Sequence, residues 1–487
     1  MSSYIILFVI FFYFLVLLFI SWVTGRKNTG NETFFLGNRC SPWYIVAIGM
    51  IGSSLSGVSF VSVPGWVRTT DMTYMQMVFG FFFGYVIIAK VLLPVYYKLQ
   101  LTSIYEYLKS RIGLRSYKTG ASFFLLSKML GAAARLYLVV LILQTAVFDR
   151  WNIPFAVTAT VSVLLIWLYT CRNGLRTIIW TDTLQALCLI AMLILIIWKV
   201  KDYLGLDIVE TAHTLYESPH FRLFEFDNWA DRQHFVKQFL SGVFVPIVMT
   251  GLDQDMMQKN LSCRNLKEAQ KNMYVYGFLF IPINFMFLCL GILLITLASQ
   301  TNIALPAAGD EILPMLCTSG VLGTSILIFF TIGIIAAAFS SADSALTALT
   351  TSFCVDILNI EGKNAKKAKQ IRLKTHLFIT IVFTLTLLLF KAVNDRSIID
   401  AIYAIASYTY GPLLGLYAFG LFTKQKPNDS YVPYICVAAP VICLLTDHFF
   451  TSCTSYRFGY ELLLLNGFLT FMGLWLCTPF SFFNKKS

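Results

Sequence analysis

Three ionisable side chains stand inside apolar runs of the sequence. They are Arg135 in Gly131-Ala-Ala-Ala-Arg-Leu-Tyr137, Asp182 in Trp180-Thr-Asp-Thr-Leu-Gln185, and Asp343 in Ala336-Ala-Ala-Phe-Ser-Ser-Ala-Asp-Ser344. A carboxylate at membrane depth is costly unless paired or hydrated, so Asp182 and Asp343 mark a cation site or a pathway. On a helix, Ser340, Asp343 and Ser344 fall at i, i+3 and i+4 and share one face, with Ser341 one position round above Ala337. Thr350 and Ser352 fit the plainer role of bonding back to their own helix carbonyls. Arg135 lies too deep in its run to reach an interface easily. It either pairs with a fixed carboxylate or offers its rigid fork of donors to an anionic solute. Lys90 and Lys128 lie nearer the ends of their runs, where snorkelling accounts for them.

A fourth feature is a run that breaks the rules of a plain anchor. It reads Gly49-Met-Ile-Gly-Ser-Ser-Leu-Ser-Gly-Val-Ser-Phe60, followed by Val63-Pro64-Gly65. Gly and Ser weaken a helix, and Pro64 removes a backbone donor. Close packing of small residues is one explanation. The other is a broken helix whose freed carbonyls line a cavity. Other chemistry finds little support. The eleven cysteines show no CxxC pair, and His213, His220 and His234 share a polar loop without ligand spacing. No HExxH, GxSxG or paired-aspartate cleavage motif appears, so the chain does not read as an enzyme.

The elements that must position these residues follow from composition. Of 487 residues, 57% are hydrophobic and 13% charged, and mean hydropathy is +0.71. Soluble proteins carry roughly 25% charged residues. Half that amount cannot cover a 55 kDa globule, which excludes a soluble enzyme, a disordered chain and a nucleic-acid binder. A membrane span takes about 20 apolar residues. Thirteen apolar runs qualify: 4–24, 42–66, 73–97, 119–148, 153–170, 177–199, 237–256, 273–299, 321–355, 375–393, 399–423, 432–447 and 460–481. The first is too long for a signal-peptide core and reads as a retained helix.

The net charge of +12 is concentrated in alternate loops. One side holds Arg26, Lys27 and Arg39; Lys98, Lys109, Arg111, Arg115 and Lys118; Arg172 and Arg176; and Lys259, Arg264, Lys267 and Lys271. The same side continues with Lys363, Lys366, Lys367, Lys369, Arg372 and Lys374, then Lys424 and Lys426, then Lys485 and Lys486. The intervening loops are poor in basic residues and include Asp71, Asp310 and Glu311. The positive-inside rule then puts the N-terminus outside and the C-terminus in the cytoplasm, as an odd span count requires. The long 201–235 loop mixes polar and aromatic residues and should form short helices packed on the mouth. Nothing else suggests a second domain, so 1–487 reads as a single polytopic unit.

Four motifs then fall in order along nearly the whole chain. They are Ser53-Ser-Leu-Ser-Gly-Val-Ser-Phe60 with Pro64-Gly65; Leu101-Thr-Ser-Ile-Tyr-Glu-Tyr-Leu108 with Arg111; Gly251-Leu-Asp-Gln-Asp-Met-Met-Gln258; and Ala336-Ala-Ala-Phe-Ser-Ser341 with Asp356. Together they resemble the sodium/solute symporter family. That resemblance implies an all-α LeuT-type fold of about 13 transmembrane helices. One extra N-terminal helix (4–24) would precede a first five-helix repeat (42–199), an inverted second repeat (237–423) and two C-terminal helices (432–481). It implies a sodium site of two carbonyls, Gly57 and Phe60, with the Ala337 carbonyl and the Ser340 and Ser341 hydroxyls.

In motif detail the chain is most similar to the sialic-acid branch. There, positions matching Asp182, Asp343 and Ser344 form a second sodium site, to which Ser340 adds a hydroxyl, and an arginine at the place of Arg135 holds the substrate carboxylate. Ser59 matches a substrate-site hydroxyl, whereas Val61 and Pro64 stand where polar side chains are usual. Asp343 replaces the common serine. The expected function is sodium-coupled symport, by alternating access, of a small organic solute, an anionic sugar acid such as sialic acid or another carboxylate. A neutral sugar or inorganic anion is the alternative substrate; a channel or a transport-like sensor fits less well. The coupling ion is Na+, taken up once or twice per cycle. The expected setting is the plasma membrane (a bacterial inner membrane), surrounded by lipid, with no obligate protein partner.

Overall fold

The computed structural model describes residues 2–25, 30–171, 174–229, 231–360, 362–393, 398–453 and 458–478. Arg26, Lys27, Arg172, Lys485 and Lys486, which entered the charge argument, lie outside the described residues. Within them the chain is helical, with one isolated bridge between Ser41 and Cys263 and no strand. The main helices are α1 (Ser2–Gly25), α2 (Trp43–Ser54), α3 (Gly57–Thr70), α4 (Tyr74–Lys98), α5 (Leu114–Leu143), α6 (Phe155–Thr170) and α7 (Leu175–Tyr203). After the short α8 (Ile208–Glu217) come α9 (Phe235–Pro246), α10 (Gln254–Leu261), α11 (Leu266–Thr301), α12 (Gly323–Ser352), α13 (Ala365–Val393), α14 (Ile398–Phe422), α15 (Val432–Cys453) and α16 (Glu461–Leu476). Among the described residues, seven helices are long and apolar enough to cross a membrane, and two bent pairs raise this to nine.

The outer surface is that of a protein dissolved in lipid. Phe8, Phe11, Phe12 and Phe19 on α1 and Leu377, Ile381, Leu385 and Leu389 on α13 are exposed. On α13 the spacing is i, i+4, the stripe a bundle turns toward hydrocarbon chains. In contrast, every residue of α12 from 333 to 352 is buried. A helix covered on all sides is the axis of its bundle. α7 packs against both α12 and α2. Small residues make that approach possible. A Cβ on Gly52 would stand 2.8 Å from the Asp182 carbonyl oxygen and 3.1 Å from the Ala186 side chain.

The two bent pairs are α2 with α3, at 63°, and α9 with α10, at 69°. In each, a side chain caps the second half. Ser56 accepts from the Ser59 amide at 3.5 Å, and Asp253 accepts from the Asp255 amide at 2.9 Å. These caps satisfy donors that a helix start leaves open in mid-bundle. Inside α3, Pro64 has no N–H to give the Phe60 carbonyl, which therefore loses its usual partner.

Two sequence readings need correction. Lys128 does not snorkel: it is buried and ion-paired with Asp253 and Asp255. Lys259 does not belong to a basic loop. The chain continues past the second bend into α10, all of whose residues are buried, and Lys259 is among the most buried large side chains of the molecule. In the 201–235 segment one short helix forms among the described residues, α8, its first turn held by a capping box between Asp207 and Glu210, with Thr211 its single buried residue.

Candidate functional site

The first bend opens onto a cavity of about 150 Å³. Ser53, Ser54, Ser56 and Ser59 supply hydroxyls from α2 and α3, and Lys128 and Arg135 face it from α5. Asp253, Thr250 and Tyr410 close the second bend's side, with Phe81, Phe280 and Met249 as apolar wall. The polar edge is organised by bonds. The Ser54 hydroxyl lies 2.5 Å from the Tyr276 hydroxyl, which lies 3.0 Å from that of Tyr85. The Tyr410 hydroxyl donates to Asp253 at 2.7 Å. Arg135 is half-buried, and among the described residues no carboxylate pairs with it. A guanidinium without a counter-ion in a partly apolar cavity is a ready anion receptor. Ser59 and Arg135 thus share the cavity, while Val61 and Pro64 are buried in α3 and do not line it.

Below the bend, α12 meets the end of α2. The Ser341 hydroxyl lies 3.4 Å from the Ser53 carbonyl and 3.2 Å from that of Ala337. A Cβ on Gly57 would lie 3.6 Å from the Ile334 carbonyl, so the start of α3 faces the same stretch of α12. Ser340 donates to Asp182 Oδ1 at 2.7 Å. That bond uses the hydroxyl proton and leaves its lone pairs available to a cation.

Asp182 is fully buried and the centre of a wider network. Its Oδ2 accepts from Ser53 at 2.9 Å and Ser344 at 3.1 Å, and stands 2.8 Å from Lys259 Nζ. Lys259 reaches Asp255 Oδ1 at 3.6 Å. Asp255 Oδ2 pairs with Lys128 at 2.7 Å, and Lys128 with Asp253 at 3.2 Å. Five buried charges therefore alternate in sign from α7 through α10 and α5 to the cavity wall.

Of the residues read as a second cation site, Asp182, Ser340 and Ser344 are in direct contact. Asp343 turns the other way. Its Oδ2 accepts from the Tyr169 hydroxyl on α6 at 2.8 Å, and among the described residues its buried Oδ1 has no hydrogen-bond partner. Asp253, Asp255, Lys128 and Lys259 were missed as site residues. The available signal was Asp255 and Lys259 at i, i+4 beside the Gly251–Gln258 motif, a spacing that lets opposite charges meet.

Residues 34–429 match the profile described as "Sodium:solute symporter family". The chain is 26% identical over 471 residues to the sodium/sialic acid symporter SiaT of Proteus mirabilis, covering 93% of this chain and 91% of that one. It is also 26% identical over 431 residues to the sodium/sialic acid symporter NanT of Aliivibrio fischeri, covering 83% and 80%. A solved structure of a Na+-coupled sialic acid symporter, substrate-bound and outward-open, superposes with a TM-score of 0.82 at 21% identity, over 98% of this chain and 97% of that one. The two share a fold.

Proposed function

The chain belongs to the sodium:solute symporter family, and from that premise we propose that it imports a small anionic sugar acid of the sialic acid kind together with sodium, by alternating access. The observation that carries the substrate class is Arg135, which faces the cavity with no counter-ion among the described residues. A solute carboxylate supplies one, and Ser54, Ser56 and Ser59 of the first bend suit the hydroxyls of a sugar. A neutral sugar would leave the guanidinium uncompensated. The names of two full-length relatives point the same way.

Sodium binds where α3 meets α12, through the Gly57 and Phe60 carbonyls, the Ala337 carbonyl, and the Ser340 and Ser341 hydroxyls. The missing Pro64 donor and the Ser340–Asp182 bond support this reading, because both leave oxygen lone pairs open. Sodium joins the two parts only in the state where they stand together, and it shifts the conformational equilibrium by that difference in affinity alone.

The two bent pairs begin the proposed repeats at 42–199 and 237–423. With the helix at 4–24 and two after 432, this gives about thirteen spans in one unit, the N-terminus outside and the C-terminus inside a bacterial inner membrane. The test is uptake of labelled N-acetylneuraminate into proteoliposomes with and without an inward sodium gradient. Uptake indifferent to the gradient would sink the coupling. Strong uptake of a neutral sugar, with no competition from any carboxylate, would sink the anionic substrate.

A further inference from the structure

The oxygens gathered around Asp182 are the donor set expected of a sodium site: one carboxylate and the hydroxyls of Ser53 and Ser344, drawn from α7, α2 and α12. Hard cations take such oxygen ligands. A cation is already there. Lys259 Nζ stands 2.8 Å from Asp182 Oδ2 and 2.8 Å from the Ser344 hydroxyl, and it also donates to the Ser53 hydroxyl. An ammonium has three donors, and these three acceptors use all of them. The directions agree throughout. Lys259 donates to both serines, both serines donate to Asp182, and no member is left unpaired.

The site is also closed. The side chains of Lys259 and Asp182 are 1% and 0% exposed. The ammonium is carried by α10, the second half of a bent pair, so it ties that half to three other helices at once. Asp255 holds it from behind, one turn earlier on the same helix.

We propose that Lys259 is a tethered cation, filling with its ammonium the oxygen cage of Asp182, Ser53 and Ser344, so that no second sodium enters. The chain then couples transport to one sodium, and removing the ammonium opens the cage to another. This rests on the sodium-symport reading but goes beyond it, since the site beside Ser341 is left intact. Like charges this close exclude one another in a buried setting, which is why tether and ion are alternatives.

The experiment counts bound sodium directly. Purified protein in detergent is titrated with 22Na+ in a scintillation-proximity assay, for the wild type, Lys259→Ala, Lys259→Arg and the double variant Lys259→Ala with Asp182→Asn. Expected are one sodium per wild-type chain, two for Lys259→Ala, and one for Lys259→Arg. The double variant should return to one, because its cage has lost both charges. Two sodium ions on the wild type, or no gain in a folded Lys259→Ala, would overturn the tether. If Lys259→Ala does not fold, the wild-type count decides alone: two overturns the proposal and one upholds it. A wild type that binds no sodium refutes the symport reading instead.

Discussion

Replacing Pro64 by Ala tests the proposed sodium site through one atom. The substitution gives residue 64 a backbone N–H directly over the Phe60 carbonyl, the oxygen assigned to sodium. A net intrahelical hydrogen bond is worth about 1 kcal/mol, and sodium must now compete with it. That corresponds to about fivefold weaker sodium binding. Stability moves the other way. Pro in a helix interior costs about 3 kcal/mol relative to Ala. Pro64 is buried, and removing two of its methylenes forfeits roughly 0.8 kcal/mol each. The sodium-free variant should therefore be about 1 kcal/mol more stable than wild type. Thermal unfolding across a sodium series, with potassium as control, reads both quantities, since stabilisation grows as RT ln(1 + [Na+]/Kd). A folded variant whose sodium affinity is unchanged or tighter would refute the role of the Phe60 carbonyl.

Arg135→Lys keeps the charge but loses the planar fork. It should weaken binding of an anionic sugar acid by about 10- to 100-fold, given roughly 1.5–3 kcal/mol for a bond to a charged group, while leaving sodium-dependent stabilisation intact; isothermal titration checks the first and thermal unfolding the second. Asp182→Asn strands the buried Lys259 ammonium and should cost about 3–5 kcal/mol, seen as a lowered melting temperature. Adding Lys259→Met to it should restore most of that loss, and a double variant no more stable than the single would contradict the pairing. Asp343→Ser removes the acceptor of the buried Tyr169 hydroxyl and should lower the melting temperature, by about 1–3 kcal/mol in stability. A melting temperature unchanged or raised would mean that the buried Oδ1 costs the fold more than the Tyr169 bond returns.

What the sequence made legible is what local physics can signal. Residues 49–65 announce a break because Gly, Ser and Pro each weaken a helix at their own position. Asp182, Asp343 and Arg135 stand out because each is a lone charge in an apolar run. From the residues alone, apart from the family resemblance, the second bend was hidden for the opposite reason. The apolar run ends at 256, and the polar Gln258, Lys259 and Asn260 that follow it read as a loop in water. Burial of the second bend depends on partners far along the chain: Lys128 for Asp253 and Asp255, Asp182 for Lys259, and Thr102 and Ile104 for the Gln254 amide. A charge is worth burying only when its partner is in place, and no window of sequence contains both. Asp343 shows the same limit at finer grain. It shares a helical face with Ser340 and Ser344 in projection, yet one bond to Tyr169 turns it toward α6.

The network that links the two bends suggests why sodium and solute should travel together. Asp182, Asp255 and Asp253 carry three negative charges, and Lys259 and Lys128 carry two positive ones, so the joined set is one charge short of neutral. A sodium at the proposed site would lie next to Ser340, which is bonded to Asp182, and would supply the missing charge. At the other end Arg135 holds one positive charge with no carboxylate partner among the described residues, and a solute carboxylate would balance it. Uncompensated buried charge is most costly when water is excluded. A carrier must close over its cavity to pass from one side to the other, and closing excludes water. With both ligands bound, or with neither, the joined network and Arg135 together carry no net charge. With sodium alone or solute alone, one charge is left over. The same electrostatic cost therefore opposes transit of either half-loaded form, and coupling follows from the count of charges without a direct contact between ion and solute.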